Sequence, residues 1–248
     1  MSIEKMNRQS KFSYLCNQCG RCCRDKVITL SPYDVLRIAR AAGISTGEAI
    51  ARYTIRRGSI LRFGTDGGCP ALDGTRCAVH SGRPLACRLY PLGLERTGTE
   101  ERFVQLEPAQ GSLCVYGADG TVEAFLTAQH VAPYLQTNEQ YRSLLTLFRE
   151  RIAALVDFDA IEPREFWRRA VREALAESNF DPNPLIGALF DPDELGCSRE
   201  SDTATVEAHI EALEDLVRRE TQADILAAAA VLLAVSLGYS PADAMAGC

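Results

Sequence analysis

Histidine is nearly absent from this 248-residue chain, which has only His80, His130 and His209. No H-E-x-x-H pair occurs, which removes the zinc-protease arrangement of two imidazoles on one helix face. Also missing are the G-x-x-x-x-G-K-[ST] phosphate loop, the G-x-S-x-G nucleophile elbow and the C-x3-C-x2-C radical-cofactor run, so most familiar enzyme classes lose support. No apolar stretch approaches the roughly 20 residues that a membrane helix needs. The longest, Ile225 to Val235, holds eleven residues. It reads as a buried helix or a subunit interface in a homo-oligomer, packed against the stripes of residues 139–156 and 163–177 rather than in a membrane. The opening "MSIEKMNRQSKFSYL" alternates charged and apolar residues without a secretory pattern. The expected setting is cytoplasmic and reducing, where clustered thiols hold metal or do redox work more often than they form disulfides. Basic residues such as Arg56, Arg57 and Arg62 lack interleaved aromatics, and the net charge is −6. Nucleic acid is therefore not an expected partner.

Cysteine is what the chain has in excess. Eight of its ten cysteines (Cys16, Cys19, Cys22, Cys23, Cys69, Cys77, Cys87 and Cys114) fall in the first 114 residues, with only Cys197 and Cys248 beyond. Charge divides at the same point. Residues 1–114 hold 17 Lys+Arg and 10 Asp+Glu, and residues 115–248 hold 10 and 23. Thiolate sites carry net negative charge, and Arg21, Arg24, Arg76, Arg83 and Arg88 lie close in sequence to cysteines, where they favour the thiolate form.

The pattern predicts a mainly α, α+β protein with a loop-rich, metal-bound cysteine region and a few short strands. Residues 1–120 form the cysteine-cluster domain, and residues 121–248 form an acidic helical region packed on it. In "LSPYDVLRIARAAG", Ser31 can cap a helix, Pro32 suits its first position, Asp34 suits its positive end and Gly43 suits its stop. A second short helix runs through "TGEAIARYT". Glycine-rich backbone follows, with strand-like pieces such as "RFVQLE". Tyr141, Leu144, Leu145, Phe148, Ile152 and Leu155, and then Phe166, Val171, Ala174 and Leu175, repeat at helical spacing. Two further helices follow a Pro-rich stretch.

The segment "CNQCGRCC" sets the chemistry. C-x2-C spacing lets two thiolates converge on one ion across a tight turn, which Gly20 helps to close. C-x2-C-x2-C is similar to the ferredoxin run that wraps three corners of a cubane, with a remote cysteine as the fourth ligand. Adjacent side chains diverge, so Cys22 and Cys23 make awkward ligands for one mononuclear ion. Cys69, Cys77, Cys87 and Cys114 supply a downstream group expected to meet the upstream one, as one site with thiolates left over or as two four-ligand sites. His80 stands in a C-x2-H pair with Cys77 but is read as a non-ligand. His130 and His209 are read as surface or core residues, and Cys197 and Cys248 as plain reduced thiols.

"CNQCGRCC" followed by "CPALDGTRCAVHSGRPLACRLYP" resembles the YkgJ-type CxxCxxCC cysteine-cluster family, a zinc- or iron-chelating domain. The resemblance covers roughly residues 10–125, including the "LSPYDVLRIA" helix, Arg83-Pro84 and Tyr90-Pro91. Flagellin lysine N-methylases have a similar cluster, which implies an iron–sulfur cofactor; their methyl transfer is not implied by cysteines alone. The leading expectation is an iron–sulfur cluster, [4Fe–4S], with its ligands drawn from these eight cysteines, used in electron transfer or in chemistry on a protein or peptide partner. The alternative is Zn in a structural or interaction module without catalysis. Metal storage or delivery is a third reading.

Overall fold

The computed structural model describes residues 5–97, 100–175 and 183–240. Its first strands, β1 (Lys5–Met6) and β2 (Lys11–Leu15), precede a 3-10 turn over Arg21–Cys23. Helix α1 (Pro32–Ala42) starts as the sequence predicts. Ser31 caps it in a capping box with Asp34, Pro32 opens it, and Gly43 closes it in the left-handed region at φ 67. That region is nearly free of steric cost only for glycine. Helix α2 (Thr46–Tyr53) repeats the device with Ser45 and Glu48.

Short hairpins follow: β3 (Thr54–Ile55) with β4 (Ile60–Leu61), and β5 (Leu72–Asp73) with β6 (Arg76–Cys77). Helix α3 (Leu85–Leu89) leads into β7 (Leu92–Thr97), which pairs with β8 (Glu100–Gln105), itself flanked by β1. Strand β9 (Val115–Thr121) pairs antiparallel with β2 and runs directly into α4 (Val122–Ala128). The rest is helical: α5 (Ala132–Leu155), α6 (Pro163–Leu175), α7 (Pro184–Ala188), α8 (Asp202–Arg219) and α9 (Ala223–Ser236). The architecture is mainly α with small antiparallel sheets, as expected.

The large core joins α1 and α2 to α5–α9, through Ile38, Tyr141, Phe148, Ile152 and Leu213. A smaller core puts Phe12, Leu89, Leu92 and Phe103 against Val122, Phe125 and Leu126. Both draw on residues from either side of residue 120, which packs the acidic helices onto the cysteine-rich part. Helix α9 is buried from Leu226 to Ala234 and lies against α5 and α6. Its alanines let those helices approach closely, so the apolar run is core. Among the described residues no helix is long and apolar enough to cross a membrane. Leu155 is exposed at the end of α5, and the side chain of Leu175 lies outside the described residues.

The loop carrying the downstream cysteines is held on α1 by a contact that leaves no room for a side chain. A Cβ at Gly82 would meet the Arg37 carbonyl oxygen at 1.9 Å and the Ala41 Cβ at 2.7 Å. Gly82→Ala is therefore expected to destabilise by about 1–3 kcal/mol or more, the usual range for overpacking. Urea unfolding checks this, with Gly74→Ala as the comparison, since nothing lies within 4 Å of a Cβ there. The comparison variant carries the cost of a left-handed φ of 59 instead.

Candidate metal centre

Two antiparallel pairings bring the cysteine groups together. In the first, β2 and β9 are in register with Tyr14 opposite Tyr116 and Leu15 opposite Val115. The next position sets Cys16 opposite Cys114, and the Asn17 side-chain amide continues the contact by donating to the Leu113 carbonyl at 2.6 Å. Side chains alternate across a strand. Leu15 and Val115 are exposed on one face, while Cys16, exposed at the strand end, and Cys114, half-buried, fall on the face of Tyr14 and Tyr116, whose rings meet at 5.1 Å.

In the second, an isolated bridge pairs Arg24 with Gly68. It is closed by Cys69 N–H donating to the Cys23 carbonyl at 3.0 Å and Asp25 N–H donating to the Gly67 carbonyl at 2.9 Å. Cys23 therefore stands opposite Cys69. Gly20, left-handed at φ 70, has Leu72 and Thr75 within 3.5 Å of where its Cβ would be, so the C-x2-C turn rests on the β5–β6 hairpin. Leu72 pairs with Cys77 in that hairpin.

Cys87 is positioned by two buried charged residues. Asp34 in α1 accepts from Leu85 N–H at the start of α3 at 2.7 Å, and from Ser31 N–H at 2.8 Å. Arg88 donates to the carbonyls of Arg83 at 3.0 Å, Gln129 at 2.8 Å and Ser81 at 2.6 Å, and stacks 4.7 Å over the Tyr134 ring. Burial pushes the Asp34 carboxyl up, against its hydrogen bonds and the nearby Arg88 charge. The motif residues around Cys87 are thus scaffold for a ligand rather than ligands.

The sulfurs are already furnished with donors. Cys16 Sγ accepts from the N–H of Gln18, two residues on, at 3.4 Å. The N–H groups of Ala71 and Val79 serve Cys69 and Cys77 in the same i+2 relation. Such N–H···S bonds stabilise thiolates. The Cys22 and Cys23 sulfurs lie 3.9 Å apart, closer than the divergence of neighbouring side chains suggests, because the pair sits in a 3-10 turn. Either sulfur can donate to the other. The Cys23 thiol, with help from Lys26 and Arg83, brings Cys22 down to about 7, while donation to Cys22 and burial push Cys23 up. Burial is the main cause that raises Cys16, Cys69, Cys77 and Cys87. Cys114 is lowered in spite of burial, by hydrogen bonds from Ser112 and Tyr14, the Asn17 backbone and Cys19.

Among the described residues no three His, Cys, Asp or Glu side chains stand at metal-holding positions. What is assembled is the set of segments that carry the thiols. Of the five arginines singled out, Arg83 acts on the Cys22 and Cys77 thiolates. Arg88 is taken up by backbone carbonyls, Arg24 pairs with Asp66 at 3.6 Å, and Arg21 and Arg76 are exposed. His80 is exposed, and its Nε2 accepts from Arg83 at 3.0 Å, so that nitrogen is used. Cys197 is buried against the Leu195 and Ala208 carbonyls, a core thiol as expected. Cys248 lies outside the described residues. Nothing in the sequence marks Tyr14, Asp34 and Lys26 as parts of the site. Asp34 was legible only as a helix-start residue, and Tyr14 follows only from the β2–β9 register.

Residues 15–109 match the family model CxxCxxCC, whose description is "Putative zinc- or iron-chelating domain". This segment is similar to that family of cysteine-cluster domains. The family supports metal binding as the coarse function of the cysteine-rich part, and the match stops short of Cys114. No curated protein and no solved structure matches the chain.

Proposed function

We propose that this protein carries an iron–sulfur cluster, [4Fe–4S], on the Cys16, Cys19 and Cys22 run and uses it for electron transfer to, or chemistry on, a protein or peptide partner in the cytoplasm. The observation that carries the reading is the run itself, C-x2-C-x2-C, folded over a left-handed Gly20 with a backbone N–H already on the Cys16 sulfur. Three such ligands leave a fourth to come from elsewhere, and Cys114 stands opposite Cys16. The donor set fits: soft thiolates select iron–sulfur clusters or zinc over hard cations. When bound, the cluster would supply a one-electron couple. The chain's own residues orient the sulfurs, offset part of their charge through Lys26 and Arg83, and pack Tyr14 and Tyr116 on the face that carries Cys16 and Cys114. Cys16 is exposed, which favours electron exchange at that edge.

Protein isolated without oxygen is expected to be brown, to contain iron and acid-labile sulfide, and to bleach with dithionite. Cys19→Ser should lose colour and sulfide, and Cys248→Ser should keep both. Colourless anaerobic protein with stoichiometric zinc and no sulfide would replace this reading by the structural zinc module.

A further inference from the structure

We propose that Tyr14 is a positioning residue of the metal centre: its hydroxyl donates a hydrogen bond to the Cys114 thiolate when metal is bound, and so sets how strongly that sulfur gives its electrons to the metal. The proposal rests on the metal-binding reading above and deepens it. The β2–β9 register puts Tyr14 opposite Tyr116, and two residues along each strand the same face carries Cys16 and Cys114. Cys114 is then the diagonal neighbour of Tyr14, at the spacing of about 7–8 Å that an aromatic side chain can span.

The ring is held and its hydroxyl is left over. Tyr14 packs edge-on against Tyr116 at 5.1 Å, Tyr90 at 6.0 Å and Phe125 at 6.3 Å. Its hydroxyl oxygen is buried, yet it completes no hydrogen bond among the described residues. A buried polar group in that state costs stability. Other tyrosines of the interior are employed: Tyr90 accepts from Ala109 N–H at 3.0 Å, Tyr134 donates to the Arg83 carbonyl at 3.2 Å, and Tyr141 bonds His209 at 2.7 Å. The Tyr116 oxygen is also buried and unpaired, but its neighbour is the Tyr90 hydroxyl, whereas the Tyr14 oxygen lies beside the Cys114 sulfur. Burial, and after it the thiols of Cys114, Cys16 and Cys22, keep the phenol protonated. It therefore meets the sulfur as a donor. A neutral thiol is a weak acceptor. Metal binding deprotonates it and gives the waiting hydroxyl a charged acceptor.

The test replaces Tyr14 by phenylalanine, which keeps the ring and removes only the hydroxyl. Tyr239→Phe, which loses a bond to Glu139 at 3.1 Å, is the comparison. Full-length, metal-stripped, reduced protein is titrated with Co²⁺, following thiolate-to-cobalt absorption. In Tyr14→Phe the Co²⁺ affinity should fall about tenfold, the scale of one hydrogen bond to a charged acceptor. The band should move to lower energy, because a thiolate relieved of a donor gives up its electron more readily. The metal-stripped variant should be no less stable to urea than the wild type, since it has lost an unpaired buried hydroxyl. A merely structural tyrosine would not give a loss confined to the bound state together with a moved band. Tyr239→Phe should change neither band nor affinity. In anaerobic protein that holds a [4Fe–4S] cluster, Tyr14→Phe should have a lower midpoint potential than the wild type, since hydrogen bonds to the sulfurs favour the reduced cluster. An unmoved band with unchanged Co²⁺ affinity overturns the proposal. So does an unmoved band with reduced stability of the metal-stripped variant, which would make Tyr14 a packing residue. Absence of any thiolate-to-cobalt band in the wild type, with no iron or zinc in the anaerobic protein, would instead sink the metal-binding reading itself, a distinct outcome.

Discussion

Replacing Arg88 by methionine is expected to lower the folding stability by about 3–5 kcal/mol, the cost of removing one partner from a buried charged network. Arg88 is 6% exposed, and its guanidinium is the donor to three carbonyls from the Arg83, Gln129 and Ser81 positions. Methionine fills much of the volume but leaves those oxygens without that donor, at about 1–3 kcal/mol for each one that stays dry. It also removes the positive charge beside the buried Asp34. Lysine should rescue little, since a single ammonium cannot reproduce a planar fork that serves three acceptors at once. Urea unfolding measures the loss, and Arg76→Met, at an exposed position, should stay within about 0.5 kcal/mol. Metal uptake should fall in parallel, because Arg88 ties α3, and with it Cys87, to the turn before α5. Unchanged stability in Arg88→Met would mean that water replaces the guanidinium and that α3 is not held this way.

The same residue shows what was legible in the sequence. Position 88 could be read as a positive charge near a cysteine, because charge and spacing are local properties. Its bond to a carbonyl 41 residues away in the chain, that of Gln129, could not, because that depends on where the α4–α5 turn lands. The helices were legible for the local reason that Ser31, Pro32, Asp34 and Gly43 each satisfy a backbone need within one turn. The stripes of α5 and α6 and the burial of α9 followed from periodicity and length. By contrast, β2 and β9 lie about 100 residues apart and carry no alternation strong enough to announce their pairing. Gly117 and Gly120 interrupt β9, and the register shifts between Lys11 and Ser13. The meeting of Cys16 with Cys114 was therefore expected only as part of a general convergence of the two groups. The opposition of Cys23 and Cys69 rests on a single bridge too short to leave a sequence signature.

Acid should unfold this protein earlier than its carboxylates alone would require, and His209 is the reason. It is fully buried between α5 and α7. Its Nε2 is 2.9 Å from the Ala188 carbonyl, and its Nδ1 is 2.7 Å from the Tyr141 hydroxyl. A carbonyl can only accept, so Nε2 carries the proton and Nδ1 accepts from tyrosine. Protonating Nδ1 would make the Tyr141 hydroxyl turn and accept instead of donate, and would place a charge in an apolar core. Burial lowers the histidine from 6.5 to about 4, outweighing the Ala188 carbonyl. Its folded value lies below its unfolded one, so the unfolded chain binds the extra proton first as pH falls. The stabilisation is fully present above about 6.5 and is lost between there and about 4, in total about 3 kcal/mol at roughly 1.4 kcal/mol per unit. Urea midpoints measured across that window should fall steeply in the wild type. In His209→Gln the baseline should be lower, but the decline should be shallower by about the same 3 kcal/mol, since the side chain that takes up the proton is gone. Parallel pH profiles for the two proteins would show that the native state tolerates a charged His209, and the Tyr141–His209–Ala188 chain could not then be read as a neutral core lock.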